Sequence, residues 1–324
     1  MGSKPPIMRS IRLAALACIV VAAAVNFSFS QNATEIPLPE IIGRASEQRT
    51  AYQDVFKNLL SRETKTSETY KKNGEVKKQR TIVSTFLVYQ LSKDVNRISE
   101  FRNVKSVDGK TLNNTEMRAQ SLFETVSKAE SSDKELQKIE DESQRYDEDI
   151  AVTGLTLFQA VPLSDNLRPF FDFKLEGKDS IGGLPVYVVS YQQIKATPYI
   201  SANPLRLAND HRLSVFYDSG IRSDRDLGER LSGKFWLDAE TFQVRREVRD
   251  FTLQPPDFPR PVLLAETTFE YQKSDFGILV PKRIIHVQNQ ILEGDRSSRK
   301  EAKIIFDYDN FTKPDVEVKS AEVK

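Results

Sequence analysis

Gly233-Lys234-Phe235-Trp236-Leu237-Asp238-Ala239-Glu240-Thr241-Phe242-Gln243-Val244-Arg245-Arg246-Glu247-Val248-Arg249-Asp250-Phe251 reads as two strands and a turn. Aromatic and aliphatic residues dominate its arms, and Asp238-Ala239-Glu240-Thr241 supplies turn chemistry between them. The pattern recurs on both sides. Residues 262–272 and 280–291 flank Lys273-Ser274-Asp275-Phe276-Gly277, and a last strand is expected at 303–308. Upstream, 170–174 and 185–192 flank a loop at 177–183 that holds Gly177, Gly182 and Gly183. Strands joined by such short turns must be antiparallel, because parallel neighbours need a long crossover. Residues 198–230 form the longest irregular stretch and are expected to be an elaborated loop.

The N-terminal half is mixed. Leu38, Ile42, Ala45, Tyr52, Phe56 and Leu59 share one helical face over 38–60, with Pro39 at the start. Residues 64–95 read as a hairpin around Asn73-Gly74, a pair suited to a type I′ turn. Lys71, Lys72, Lys77, Lys78 and Arg80 cluster at its tip and protect a solvated hairpin from edge pairing. A strand over 96–107 precedes a turn at Asp108-Gly109. Met117, Leu122, Val126 and Ala129 then mark a second helix, and Leu136, Ile139, Ser143 and Tyr146 a third. The charges of that third segment read as a solvated face. The fold class is α+β: a large antiparallel meander covered by a few amphipathic helices.

Composition narrows the function. The 324 residues are 39% hydrophobic, and 47 Lys+Arg against 46 Asp+Glu nearly cancel. That balance argues against a nucleic-acid binder. One Cys excludes a disulfide scaffold and a multi-Cys zinc site.

The first thirty residues have the layout of a secretory signal peptide. Lys4, Arg9 and Arg12 precede thirteen apolar residues at 13–25, and Ser28 and Ser30 occupy the −3 and −1 positions of a cut before Gln31. Ala15-Leu16-Ala17-Cys18 loosely resembles a lipobox, but the apolar run continues past Cys18, so Cys18 reads as part of the leader and not as a lipid anchor. A periplasmic or secreted chain of residues 31–324, forming one domain, is the expectation. No later segment is apolar for about eighteen residues, so an integral helical membrane protein is not expected.

No catalytic constellation stands out. His211 lies in the long irregular stretch, and His286 alternates with Ile285 and Val287 on a strand, as a solvent-facing or simply hydrogen-bonded side chain. There is no G-x-S-x-G, H-E-x-x-H, C-x-x-C, G-x-G-x-x-G or P-loop. The carboxylate-rich 218–226 lacks the order of a calcium loop, and its arginines would cancel its acids. Neither a metal nor a cofactor is expected. Carboxylate pairs stay open as hydrolytic machinery, since a sequence gives no separations.

The remaining option is physical. A large antiparallel sheet must cover its apolar face or leave it as a cavity. Phe235, Trp236, Phe269, Ile285 and Ile305 are strand residues placed to line such a space, each with an ordinary core role as the alternative.

The order of leader, early helix, two-helix insert and meander resembles the fold shared by the periplasmic lipoprotein carriers LolA and LolB and the sensor-binding protein RseB. Gly233-Lys234-Phe235-Trp236-Leu237-Asp238-Ala239-Glu240-Thr241 carries the most specific likeness. Glu142-Ser143-Gln144-Arg145-Tyr146 and Asp275-Phe276-Gly277-Ile278-Leu279-Val280-Pro281-Lys282 are similar to segments of uncharacterised secreted bacterial proteins of that group. The resemblance implies an unclosed barrel with helices as a lid over a hydrophobic cavity, and binding and delivery, not catalysis. A lipid, a lipoprotein acyl chain or another apolar ligand is the expected partner. The competing reading is a cell-envelope structural or protein-interaction module with no small ligand. Room for a chain, about 300 Å³ or more, separates the two.

Overall fold

Pro39 in the first turn of α1 (Leu38–Phe56) suits a position whose N–H has no intrahelical partner. The computed structural model describes residues 36–94, 97–147, 155–202, 215–221 and 227–313. The leader with Cys18, His211 and much of 198–230 lie outside the described residues. From α1 the chain enters β1 (Leu60–Tyr70), β2 (Val76–Gln90), β3 (Ile98–Val107) and the two-residue β4 (Lys110–Thr111). Helices α2 (Thr115–Val126) and α3 (Ser132–Ser143) follow. Then come β5 (Phe171–Ile181), β6 (Leu184–Gln193), the short β7 (Ile200–Ser201) and β8 (Val215–Phe216), and β9 (Arg230–Asp238). The chain finishes with β10 (Val244–Leu253), β11 (Val262–Lys273), β12 (Leu279–Leu292) and β13 (Ser297–Thr312). Among the described residues no helix is long and apolar enough to cross a membrane.

Eleven strands form one sheet in the order β4-β3-β2-β1-β13-β12-β11-β10-β9-β6-β5. Its pairings are all antiparallel. The first and last long strands meet in its middle, while β4 and β5 stand at opposite edges, so the sheet is unclosed. The fold class matches the sequence expectation.

Two turns differ from it. At Lys71-Lys72-Asn73-Gly74 only Gly74 has positive φ, +84°, and Lys71 N–H donates to Glu75 O at 2.8 Å. A type I′ turn needs positive φ at both central residues. That pattern appears instead at Asp108-Gly109 (φ 50° and 77°) and Gly182-Gly183 (φ 59° and 80°). The expected loop at 177–183 is therefore mostly strand.

The sheet has two dressed faces. On the inner face α1 packs through Tyr52 against Tyr271 and through Phe56 against Phe86. The other two helices serve the outer face of β2 and β3. There Phe101, Ala119, Val126 and Ile139 form a small core with Leu87, Tyr89, Leu122 and Phe123. This is why residues 99–104 of β3 are buried on both sides. Glu135 of α3 is fully buried and accepts hydrogen bonds from Tyr89 Oη (2.8 Å), Ser92 N (2.7 Å) and Lys93 N (3.3 Å). Its carboxyl is held below the usual range because these donors outweigh burial, which acts the other way. The third helix is thus less purely solvated than its sequence suggests.

Candidate functional site

Strand alternation divides the five candidate lining residues. Phe235 and Phe269 are fully buried on the inner face. Trp236, Ile285 and Ile305 are half-buried on the outer face, where Arg246 lies over Trp236 and Ile285 pairs across the strands with Ile305. Neighbours in a strand point to opposite sides, so Phe235 and Trp236 do not meet in one space.

Between α1 and the inner face runs a stretch without helix or strand, Leu155-Thr156-Leu157-Phe158-Gln159-Ala160, followed by a short 3-10 turn at Val161–Leu163. All of these residues except the half-buried Phe158 are buried, and Leu163 and Ala160 are inaccessible. A buried irregular backbone must find side-chain partners for its N–H and C=O groups. Here they come from two charged clusters on the sheet and from one face of α1.

In the first cluster, Arg102 Nε donates to Glu63 Oε1 (2.7 Å) and its Nη2 to Glu63 Oε2 (3.0 Å) and Glu100 Oε2 (3.1 Å). Burial opposes the guanidinium charge, but the two carboxylates hold its pKa above the usual value. The second oxygen of Glu100 accepts from Thr156 N (3.0 Å), Leu157 N (3.3 Å) and the Thr156 hydroxyl. Beside them Lys65 pairs with Asp147 at 2.5 Å, and burial lowers its pKa.

In the second cluster, Arg249 Nε and Nη2 clasp Glu247 at 2.9 and 3.1 Å, and Nη2 also donates to Phe158 O at 2.8 Å. Glu247 accepts from Ala160 N (3.0 Å) and Tyr191 Oη (2.9 Å). Tyr191 lies against β9 at Gly233, where any Cβ would fall 2.5 Å from its hydroxyl and 2.0 Å from Val248 O. That contact accounts for the glycine in the signature strand. From α1, Arg49 Nε donates to Gln159 O (3.1 Å), Tyr52 Oη to Thr156 O (2.9 Å) and Gln53 Nε2 to Leu157 O (3.2 Å). Burial and the nearby Arg249 lower the Arg49 pKa to about 10. Seven hydrogen bonds thus hold the backbone of residues 156–160.

His286 lies on this inner face. Its Nδ1 is 2.8 Å from Thr267 Oγ1 and its Nε2 3.3 Å from Gln288 Oε1. Burial, helped by the Arg249 charge, lowers its pKa to about 4, so the ring is neutral at neutral pH. It is the hydrogen-bonded histidine of the sequence reading and faces the core, not solvent. Among the described residues no three His, Cys, Asp or Glu side chains are arranged to hold a metal ion.

Two small cavities are lined by described residues. One of about 30 Å³ adjoins Lys65, Arg80, Tyr146 and Asp147. One of about 10 Å³ adjoins Arg49, Tyr52 and Gln159. Both are water-sized. The sequence reading missed the 155–163 segment, because an apolar run without a period gives no element. A signal was present nevertheless: Glu100-Phe101-Arg102 and Glu247-Val248-Arg249 each put a Glu and an Arg on one strand face, two residues apart.

No protein-family model matches the sequence, and comparison with curated proteins finds no match. Among solved structures the chain is similar to a DUF1329 family protein from Desulfovibrio piger, at 11% identity and TM-score 0.37, covering 89% of this chain and 97% of that one. It is similar to a LolA superfamily protein from Nitrosomonas europaea, at 11% identity and TM-score 0.30, covering 87% and 95%. It is also similar to a domain designated an outer membrane lipoprotein-sorting protein from Vibrio parahaemolyticus, at 9% identity and TM-score 0.34, covering 85% and 92%. Likeness at this level carries no argument about function. The open, helix-covered antiparallel sheet seen in this chain accords with the LolA, LolB and RseB resemblance of its sequence.

Proposed function

We propose that this protein is a non-enzymatic binding protein of the cell envelope that takes an apolar ligand on the inner face of its open sheet. The ligand occupies the space now filled by residues 155–163, over Phe235 and Phe269. One observation carries this reading: an irregular aliphatic segment covers the aromatic inner face and is held by side-chain hydrogen bonds, not by a ladder or a helix. Such contacts to charged groups are worth about 1.5–3 kcal/mol each and are made one by one, whereas a strand leaves only with its ladder. The leader-like first thirty residues support the location.

The two water-sized cavities beside Lys65 and Arg49 accord with a second reading, an envelope module whose loops meet a protein partner. Native mass spectrometry separates the two. The protein is purified without detergent from a membrane-containing extract. Heterogeneous adducts of lipid mass that vanish on organic extraction support carriage. A clean mass, still clean after incubation with envelope lipids, supports the second reading instead.

A further inference from the structure

We propose that the apolar ligand is a long-chain carboxylate whose head group is received by Arg49 and Arg249. This inference rests on the binding reading above and adds the chemistry of the head group.

Among the described residues the second cluster carries a surplus of buried positive charge. Arg49 is 6% exposed and Arg249 fully buried, and they face one buried carboxylate, Glu247. Asp165 also acts on Arg49, but it is exposed and paired with Arg168 at 2.9 Å. Buried charges are ordinarily balanced, because an unbalanced one is costly to desolvate. Arg249 Nη1 finds no protein acceptor, although its side chain is wholly enclosed. Beside it the buried Tyr217 hydroxyl interacts with Arg249 and the Tyr271 hydroxyl with Gln159, both short of good hydrogen-bond geometry.

The segment over this site imitates the ligand. The carbonyls of Phe158 and Gln159 are consecutive, and each accepts from one arginine, Phe158 O from Arg249 and Gln159 O from Arg49. They present two partially negative oxygens where a carboxylate would present two fully negative ones. On either side, Leu155, Leu157, Val161 and Leu163 bury aliphatic carbon as an alkyl chain would. A carboxylate bound in their stead would neutralise the surplus charge and could take up Nη1. The arginine bonds to the two carbonyls are already charge-assisted, and a carboxylate adds a full negative charge and bidentate geometry to them. In the first cluster Arg102 Nη1 also lacks an acceptor, but Glu63, Glu100 and Asp147 outnumber Lys65 and Arg102 there, so the charge balance and not the free N–H sets the second cluster apart.

The test uses the delipidated protein and two fluorescent probes of equal chain length, cis-parinaric acid and its methyl ester, at neutral pH. The acid should bind at least tenfold more tightly than the ester. Arg49→Gln should abolish that preference, the ratio of acid to ester affinity falling to about one, and its circular dichroism and urea unfolding report that the variant is folded. Arg49→Lys, which keeps the charge, should retain most of the preference. Equal affinities for acid and ester in the wild type overturn this inference and leave the binding reading standing. So does a preference that survives Arg49→Gln. Failure of both probes to bind the wild type overturns the binding reading and this inference together.

Discussion

The two charged clusters share a plan and differ in sign. Each rests on a Glu-x-Arg pair on one strand face, Glu100 with Arg102 and Glu247 with Arg249, and each holds the same irregular segment. The first surrounds its arginine with acids and gives the segment acceptors for Thr156 N–H and Leu157 N–H. The second gives it donors for two carbonyls and retains excess positive charge. The contrast is therefore one of charge: the first cluster is acidic on balance and holds its own cation, while the second is basic on balance and suited to exchanging its guest for an anion. A buried ion pair is in itself weak evidence of stability, but removing one partner is costly.

The largest effect expected from that contrast is at Arg102. Arg102→Met leaves Glu63 and Glu100 buried without their shared cation and should cost about 3–5 kcal/mol in urea unfolding. Arg249→Met should cost less, because Glu247 keeps the Tyr191 and Ala160 donors and the field of Arg49. Equal losses would break the comparison.

The next effect is a pH dependence. His286 is buried neutral with its pKa lowered to about 4, against an unfolded value near 6.5. Its contribution is fully present above about pH 6.5 and is lost as pH falls through about 4, because the unfolded chain then binds the proton more readily. The span is worth about 3 kcal/mol, at 1.36 kcal/mol per pKa unit. Unfolding curves of wild type and His286→Gln between pH 4 and 7 should diverge in this sense. A pH-independent difference would mean that the ring is not held neutral.

The smallest effect is at the segment. Thr156→Val removes one hydroxyl donor to Glu100 and leaves both backbone N–H donors, so it should cost about 2 kcal/mol in urea unfolding. A loss as large as that of Arg102→Met would make Thr156 part of the closed network.

Much of this was legible in the sequence. Thr-rich and aromatic runs with short turns gave the antiparallel sheet, because strand propensity and turn chemistry are local properties. The 4, 3, 7, 4 spacing from Leu38 to Phe56 placed α1, while Leu59, at the end of the same pattern, lies beyond the helix. What stayed hidden was non-local. Which face of a strand turns inward depends on partners far along the chain, so Trp236, Ile285 and Ile305 could not be distinguished from Phe235 and Phe269. The destination of α2 and α3 was set by Leu87, Tyr89 and Phe101, which form an apolar patch on the outer face. The charged residues of the inner face drew no reading at all, because a Glu-x-Arg pair looks the same on either side of a sheet. Only the backbone of 155–163, arriving from elsewhere, gives those charges their role.

The central claim is that 155–163 occupies a ligand's place and yields it. Hydrogen–deuterium exchange of the delipidated protein, with and without saturating cis-parinaric acid, tests this most directly. The Thr156, Leu157 and Ala160 amides, bonded to Glu100 and Glu247, should lose protection when the ligand binds, while β10, β11 and β12 keep theirs. Unchanged protection of those three amides at saturation would contradict the claim and mark the segment as permanent core.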